Sequence, residues 1–77
     1  MTLTVYTKPA CVQCNATYRA LDKKGHNYTS IDITQDLALA ELLREQGHMQ
    51  APVIFVHKDG LLIDSWSGFR PDKIADL

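Results

Sequence analysis

The sequence predicts an α/β fold in which four strands form one mixed sheet flanked by three helices, in the order βαβαββα. Three observations predict it. Short β-branched and aromatic runs alternate with stretches whose apolar residues recur every three or four positions. The first strand-like run passes into a helix-like stretch and then a second strand, the pattern of a parallel βαβ unit with a right-handed crossover. Further on, Lys58-Asp59-Gly60-Leu61 carries the Asp-Gly pair that accepts the positive φ of a two-residue hairpin turn.

Each element follows from its residues. Leu3-Thr4-Val5-Tyr6-Thr7 is β-branched and aromatic and reads as a strand, which Pro9 stops. From Val12 the pattern is helical: Ala16, Ala20 and Leu21 share a face with Cys14 and Thr17. Lys23 and Lys24 suit the negative end of that helix, and Gly25 ends it. Tyr28 to Ile33 alternates as a second strand, Tyr28, Ser30 and Asp32 against Thr29, Ile31 and Ile33. Thr34 is the expected N-cap of the next helix, with Asp36 in its first turn; Leu39, Leu42 and Leu43 form its apolar face, and Gly47 closes it. Val53 to Val56 is a buried-strand run, and Leu61 to Trp66 is its antiparallel partner across the hairpin. Pro71 to Leu77 makes a short last helix with Pro71 at its first position. This order is similar to the smallest form of the thioredoxin-like architecture.

Size and charge narrow the function. The chain has 77 residues, enough for one domain spanning 1–77. Its mass implies a folded surface of roughly 4,700 Å² against roughly 12,500 Å² unfolded, hence one small core. The formal net charge of −1 excludes the basic field on which non-specific nucleic-acid binding depends and argues against a polybasic membrane-surface protein. The longest apolar run, Ala51-Pro52-Val53-Ile54-Phe55-Val56, is far too short for a membrane span. Lys8, Pro9 and Cys11 fall where the apolar core of a signal peptide would sit. A cytoplasmic protein is expected, in a compartment that keeps thiols reduced.

The two cysteines, Cys11 and Cys14, carry the chemistry. A bridge between them would close so short a loop that the chain-entropy estimate gives only roughly 2 kcal/mol before strain. The pair is therefore reactive, a metal ligand, or an inert couple of small apolar side chains. A zinc site needs four ligands, and His26, His48 and His57 fit no compact finger spacing, so no metal is expected. The placement between a strand and a helix favours a redox dithiol. Cys11 stands at a helix N-terminus, where free N–H groups and the dipole stabilise a thiolate, and Lys8 adds positive potential. Cys14 falls one turn later, within disulfide reach and less exposed. Reduced Cys11 would attack a partner disulfide, and Cys14 would resolve the mixed disulfide.

Three segments, Tyr6-Thr7-Lys8-Pro9-Ala10-Cys11-Val12-Gln13-Cys14, Gln50-Ala51-Pro52-Val53 and Trp66-Ser67-Gly68-Phe69-Arg70-Pro71-Asp72, together resemble the NrdH-redoxins. That family is glutaredoxin-like in size and sequence and thioredoxin-like in activity, and the resemblance covers nearly the whole chain. It implies a glutaredoxin-type fold and a thiol–disulfide oxidoreductase that donates electrons to the large subunit of class Ib ribonucleotide reductase. It further implies re-reduction by thioredoxin reductase with electrons from NADPH, and no bound cofactor beyond the Cys11–Cys14 dithiol. By position, Cys11 is the attacking and Cys14 the resolving cysteine. Ala51-Pro52 matches a cis-proline turn facing the dithiol, whose backbone edge would pair with a partner strand. An X-Pro bond tolerates cis at only about 0.5–1 kcal/mol, although a trans proline opening the strand is the commoner case.

The remaining candidates are weighed the same way. Lys8, Val12, Gln13, Ala51, Pro52, Ser67, Gly68, Phe69 and Arg70 form the expected partner-binding surface. Tyr6 and Trp66 are expected to pack near the site, and Phe69 to pack beside them. Gly68 fits a position needing positive φ or close approach. Asp32 and Asp64 are expected to face solvent. The main alternative is a glutathione-dependent glutaredoxin, a family that resembles this chain but carries Cys-Pro-Tyr-Cys and a double glycine followed by an acidic residue. Here the centre is Val12-Gln13 and only Gly68 stands where the pair would, although Arg70 could hold a carboxylate. A redox-gated docking module, which would show no disulfide turnover, is the alternative of another class.

Overall fold

In the computed structural model, which describes residues 1–77, strand β1 (Thr2–Thr7) lies inside the sheet, pairing in parallel with β2 (Thr29–Asp32) and antiparallel with β3 (Val53–Lys58). β3 pairs with β4 (Leu61–Ser67), so the spatial order is β2-β1-β3-β4. The helices are α1 (Val12–Lys23), α2 (Leu37–Glu45) and α3 (Pro71–Ala75). The thioredoxin-like βαβαββα order read from the sequence is the observed one.

The alternation of the central strands builds two unequal faces. Leu3 and Val5 of β1, Ile54 and Val56 of β3 and Trp66 of β4 pack against Leu21 of α1 and Ile74 of α3 in one buried cluster. On the other face lie Val53 and Phe55, the Phe55 ring meeting Tyr6 edge-on at 5.1 Å and His48 at 6.1 Å. That face is covered by the single short helix α2 through Leu43, which is buried. The total surface is 4933 Å², close to the value expected from mass alone.

The turns follow their residues. Asp59 and Gly60 adopt φ of 54° and 80°, the paired positive φ of the predicted hairpin turn. Gly25 (φ 75°) and Gly47 (φ 91°) end α1 and α2, and the His26 and His48 N–H groups reach back to the Leu21 and Leu43 carbonyls.

Several details depart from the sequence reading. The second strand ends at Asp32, because its carboxylate accepts hydrogen bonds from both the N–H and the hydroxyl of Thr34, folding Ile33–Gln35 into a 3-10 turn. Thr34 is thereby engaged, and Asp36 is the N-cap of α2, accepting from the Leu39 N–H at 3.1 Å. Leu42 does not join the apolar face. Leu39, Ala40 and Leu43 define the inward stripe, and Leu42, rotated away from it, is 49% exposed. Asp32 and Asp64 do keep solvent contact as expected, the Asp64 side chain being 41% exposed, while Asp64 pairs with Lys73 at 3.2 Å. Phe69 does not pack into the core but lies at the surface, 36% exposed.

Candidate active site

The site begins where β1 runs out. Lys8-Pro9-Ala10 carries the chain from Thr7 to α1, and Ala10 takes a positive φ of 55°, sparsely populated for a residue with a Cβ. Cys11 then adopts an extended N-cap conformation and Val12 opens the helix. The Cys14 N–H donates to Cys11 Sγ at 3.1 Å, so sulfur takes the role that a Ser or Asp oxygen plays at an ordinary N-cap. No acidic residue occupies the first turn of α1. The open N–H groups and positive helix end are therefore uncontested, and both favour a thiolate at Cys11.

Cys11 and Cys14 form a disulfide, with Cα atoms 5.2 Å apart. Cys11 is 7% exposed and Cys14 1%, so the outer sulfur is the one a partner can reach. Lys8 borders the same opening, a hollow of about 290 Å³ that also touches Val12, Gln13, Met49 and Ala51.

Facing the dithiol is the loop before β3. The Ala51–Pro52 peptide bond is cis, and the Ala51 carbonyl oxygen lies 3.7 Å from Cys11 Sγ. The Gly68 N–H donates to the Pro52 carbonyl at 2.8 Å, and the next N–H, of Phe69, donates to Gln13 Oε1 at 2.9 Å. The Gln13 carbonyl in turn accepts from the buried Thr17 hydroxyl at 2.9 Å. The helix start, the proline loop and the segment after β4 are thus tied together around the sulfurs. Gly68 sits at φ 80°, and a Cβ there would lie 3.1 Å from Gln13 Oε1 and 3.3 Å from Gln50 Oε1.

The structure brings most of the sequence-derived residues to one end of the sheet, in different states. Lys8, Val12, Gln13, Phe69 and Arg70 are exposed, Ala51 and Ser67 half-buried, and Pro52 and Gly68 buried, so the last two offer backbone rather than side chain. Arg70 holds the carboxylate of Asp72 with two contacts, at 2.8 and 3.1 Å. Trp66 is core, opposite Ile54 in the β3–β4 ladder. Tyr6 packs on Phe55, on the face away from Trp66. Sequence reasoning missed Met49 and named Gln50 only as part of the Gln50-Ala51-Pro52-Val53 segment; both line the hollow at the dithiol. Met49, 73% exposed, lies beside the dithiol. No motif marks Met49, which the turn after α2 brings there.

The chemistry open to a solvent-edge sulfur with a second sulfur one turn behind it is two-electron exchange with another disulfide, on a thioredoxin fold: the molecule is a thiol–disulfide oxidoreductase. The Glutaredoxin family model matches residues 3–61. Glutaredoxin-like protein NrdH of Escherichia coli K12 is 46% identical over all 77 residues, covering 89% of that protein. Its counterpart in Lactococcus lactis subsp. cremoris is 35% identical over 97% of both chains. The solved structure of the Escherichia coli NrdH-redoxin, described as having a thioredoxin-like activity profile, superposes with a TM-score of 0.86 at 44% identity, covering 100% of this chain and 95% of that one. The chain belongs to the glutaredoxin family and, within it, to the NrdH-redoxins.

Proposed function

We propose that this protein is the electron donor of class Ib ribonucleotide reductase, reducing the disulfide left in the large subunit at each turnover. The observation that carries the reading is the full-length match to glutaredoxin-like protein NrdH, with the redox pair Cys11–Cys14 at a helix start. The Cys11 thiolate attacks one sulfur of the partner's disulfide. A mixed disulfide forms, and the displaced partner thiolate takes up a proton. The Cys14 thiol, as its proton leaves, then attacks Cys11 Sγ; the second partner sulfur departs as a thiolate and is protonated. Two electrons have passed, and Cys11–Cys14 is left oxidised.

The partner surface in this reading consists of Lys8, Val12, Gln13, Ala51, Pro52, Ser67, Gly68, Phe69 and Arg70. Val12 at 80% exposure and Phe69 at 36% supply apolar contact. Thioredoxin reductase, drawing on NADPH, restores the dithiol, and the cycle runs in the cytoplasm, where thiols are kept reduced. Against glutathione as the reductant stands Arg70. The guanidinium that could receive a glutathione carboxylate is already bidentate to Asp72.

The test compares two reducing systems on the oxidised protein, with the class Ib large subunit as acceptor. NADPH with thioredoxin reductase should sustain deoxyribonucleotide formation. Efficient turnover only with glutathione and glutathione reductase would reassign the protein to the glutathione-dependent glutaredoxins, and no turnover with either would leave a redox-gated docking module.

A further inference from the structure

The opening at the dithiol is lined by a third sulfur. Met49 borders it together with Cys11, Val12 and Ala51, and it is largely exposed. It stands two residues before Ala51, whose carbonyl lies 3.7 Å from Cys11 Sγ. A thioether so placed is open to oxidants. Once Cys11 and Cys14 are joined, the chain has no free cysteine, and Met49 is the one oxidisable sulfur left at the site. The other methionine, Met1, is also exposed but sits at the far end of β1, roughly 20 Å away along the strand. The lining decides what an added oxygen would meet. Lys8, Gln13 and Gln50 border the same opening. The Gln13 amide oxygen is taken by the Phe69 N–H, which leaves its amide nitrogen a donor without a partner in the protein. A sulfoxide on Met49 would therefore find hydrogen-bond donors on that wall.

We propose that Met49 is an oxidation switch on the partner surface, set by a hydroperoxide. One oxygen atom passes from the peroxide to Met49 Sδ. The thioether gives up two electrons, and the peroxide leaves as water or an alcohol. A flexible apolar side chain becomes a polar one, and its new oxygen accepts from Lys8 or from the amide of Gln13 or Gln50. Both changes act on docking. A protein partner loses an apolar contact beside Cys11, and donors of the opening are occupied. Neither change touches the dithiol, whose N–H donor and helix end are unaltered. The disulfide form is the one that takes the mark, because it holds no Cys11 thiolate to consume the peroxide first. The inference rests on the redox reading above and adds a control over the same site: a carrier left oxidised under peroxide is slowed until its sulfoxide is reduced.

The experiment treats the full-length disulfide form with hydrogen peroxide and follows oxidation at each methionine by peptide mass. Met49 should gain one oxygen at least as fast as Met1. The dithiol is then restored with a phosphine, and single-turnover reduction is measured on insulin and on bis(2-hydroxyethyl) disulfide, which is small enough to touch Cys11 alone. With insulin the Met49 sulfoxide form should react about fivefold more slowly than the untreated protein, and with the small disulfide within about twofold of it. Methionine sulfoxide reductases A and B together should restore the insulin rate. Met49→Leu, which keeps Met1, should react equally fast before and after peroxide. Met49→Gln, with a polar amide in place of the thioether, should reproduce part of the loss without peroxide. An insulin rate indifferent to the sulfoxide, an equal loss on both substrates, or a loss that persists in Met49→Leu would overturn the proposal and leave the redox function standing. Because the rates are compared on insulin, failure with the class Ib large subunit would overturn that assignment alone. Failure of the untreated protein to reduce either disulfide would overturn both.

Discussion

The backbone N–H of Cys14 is aimed at Cys11 Sγ from 3.1 Å, so Cys14, the resolving residue of the proposed cycle, also holds Cys11, its proposed attacking residue, in place. The two roles are separable, because the bond comes from the Cys14 main chain and survives a change of its side chain. Cys11→Ser should abolish turnover, since a serine hydroxyl is no substitute for a thiolate. Cys14→Ser keeps the attacking sulfur and its N–H donor and loses only the resolving thiol. It should accumulate the mixed disulfide, visible by intact mass under non-reducing conditions. Turnover by Cys11→Ser would remove Cys11 from the attacking role.

Which parts of this arrangement were legible follows from how local their causes are. The order of elements, the Asp59-Gly60 turn, the glycine stops and the position of Cys11 at a helix start all depend on residues within one turn of one another. Thr34 is not the N-cap of α2 because two consecutive capping arrangements compete there: Asp32 engages Thr34, which leaves the helix to Asp36 two residues on. Leu42 falls outside the apolar face because a nine-residue helix covering one sheet face buries a narrow stripe, and spacing alone does not say which edge of the stripe is wet. The Gln13–Phe69 and Gly68–Pro52 bonds join segments far apart in the chain, and no local pattern encodes them.

Gly68 is the position where that brace leaves least room. At φ 80° a side chain costs roughly 1–2 kcal/mol from backbone conformation alone. The new Cβ would also press on Gln13 Oε1 at 3.1 Å, the acceptor of the Phe69 N–H. Gly68→Ala should therefore lower the thermal midpoint by roughly 5–15 °C for a domain of this size. Gln13→Ala removes that contact together with the Phe69 bond and leaves the φ, so Gly68→Ala should still cost stability when Gln13→Ala is the parent. No loss on that parent would show that crowding, not backbone conformation, is what requires glycine there.

Acid pH should reach Asp72 late. Its hydrogen bond with the Arg70 guanidinium, aided by the charge of that group, outweighs desolvation and pushes the carboxyl down from 3.8 to about 2. Because the folded-state value is depressed, the stabilisation is fully present above the unfolded value, near pH 4, and is lost as pH falls through about 2. A carboxyl-carbon NMR titration should show Asp72 still ionised near pH 3. Arg70→Gln should move its midpoint up towards the ordinary carboxylate range. A midpoint that stays put in Arg70→Gln would show that the ion pair is not its cause.

By its position Lys24 suits the negative end of its own helix, but the structure gives it a different partner. Its ammonium donates to the carbonyls of Ile74 and Ala75, at 3.1 and 2.8 Å, closing the C-terminal end of α3. α3 is five residues long and carries Ile74 into the core cluster, so its few exposed carbonyls matter to whether it stays docked. Lys24→Met keeps most of the aliphatic stem and removes both donated bonds. It should cost about 1 kcal/mol, a figure held low by partial exposure. That corresponds to a fall of about 4–8 °C in thermal midpoint. Lys23→Met, one residue earlier with no such bonds, should change stability by less than about 0.5 kcal/mol. Amide hydrogen exchange should locate the difference, with faster exchange at Ile74 and Leu77 in Lys24→Met and unchanged exchange in Lys23→Met. Equal effects of the two substitutions would reduce Lys24 to the general dipole role that its position in the sequence suggests.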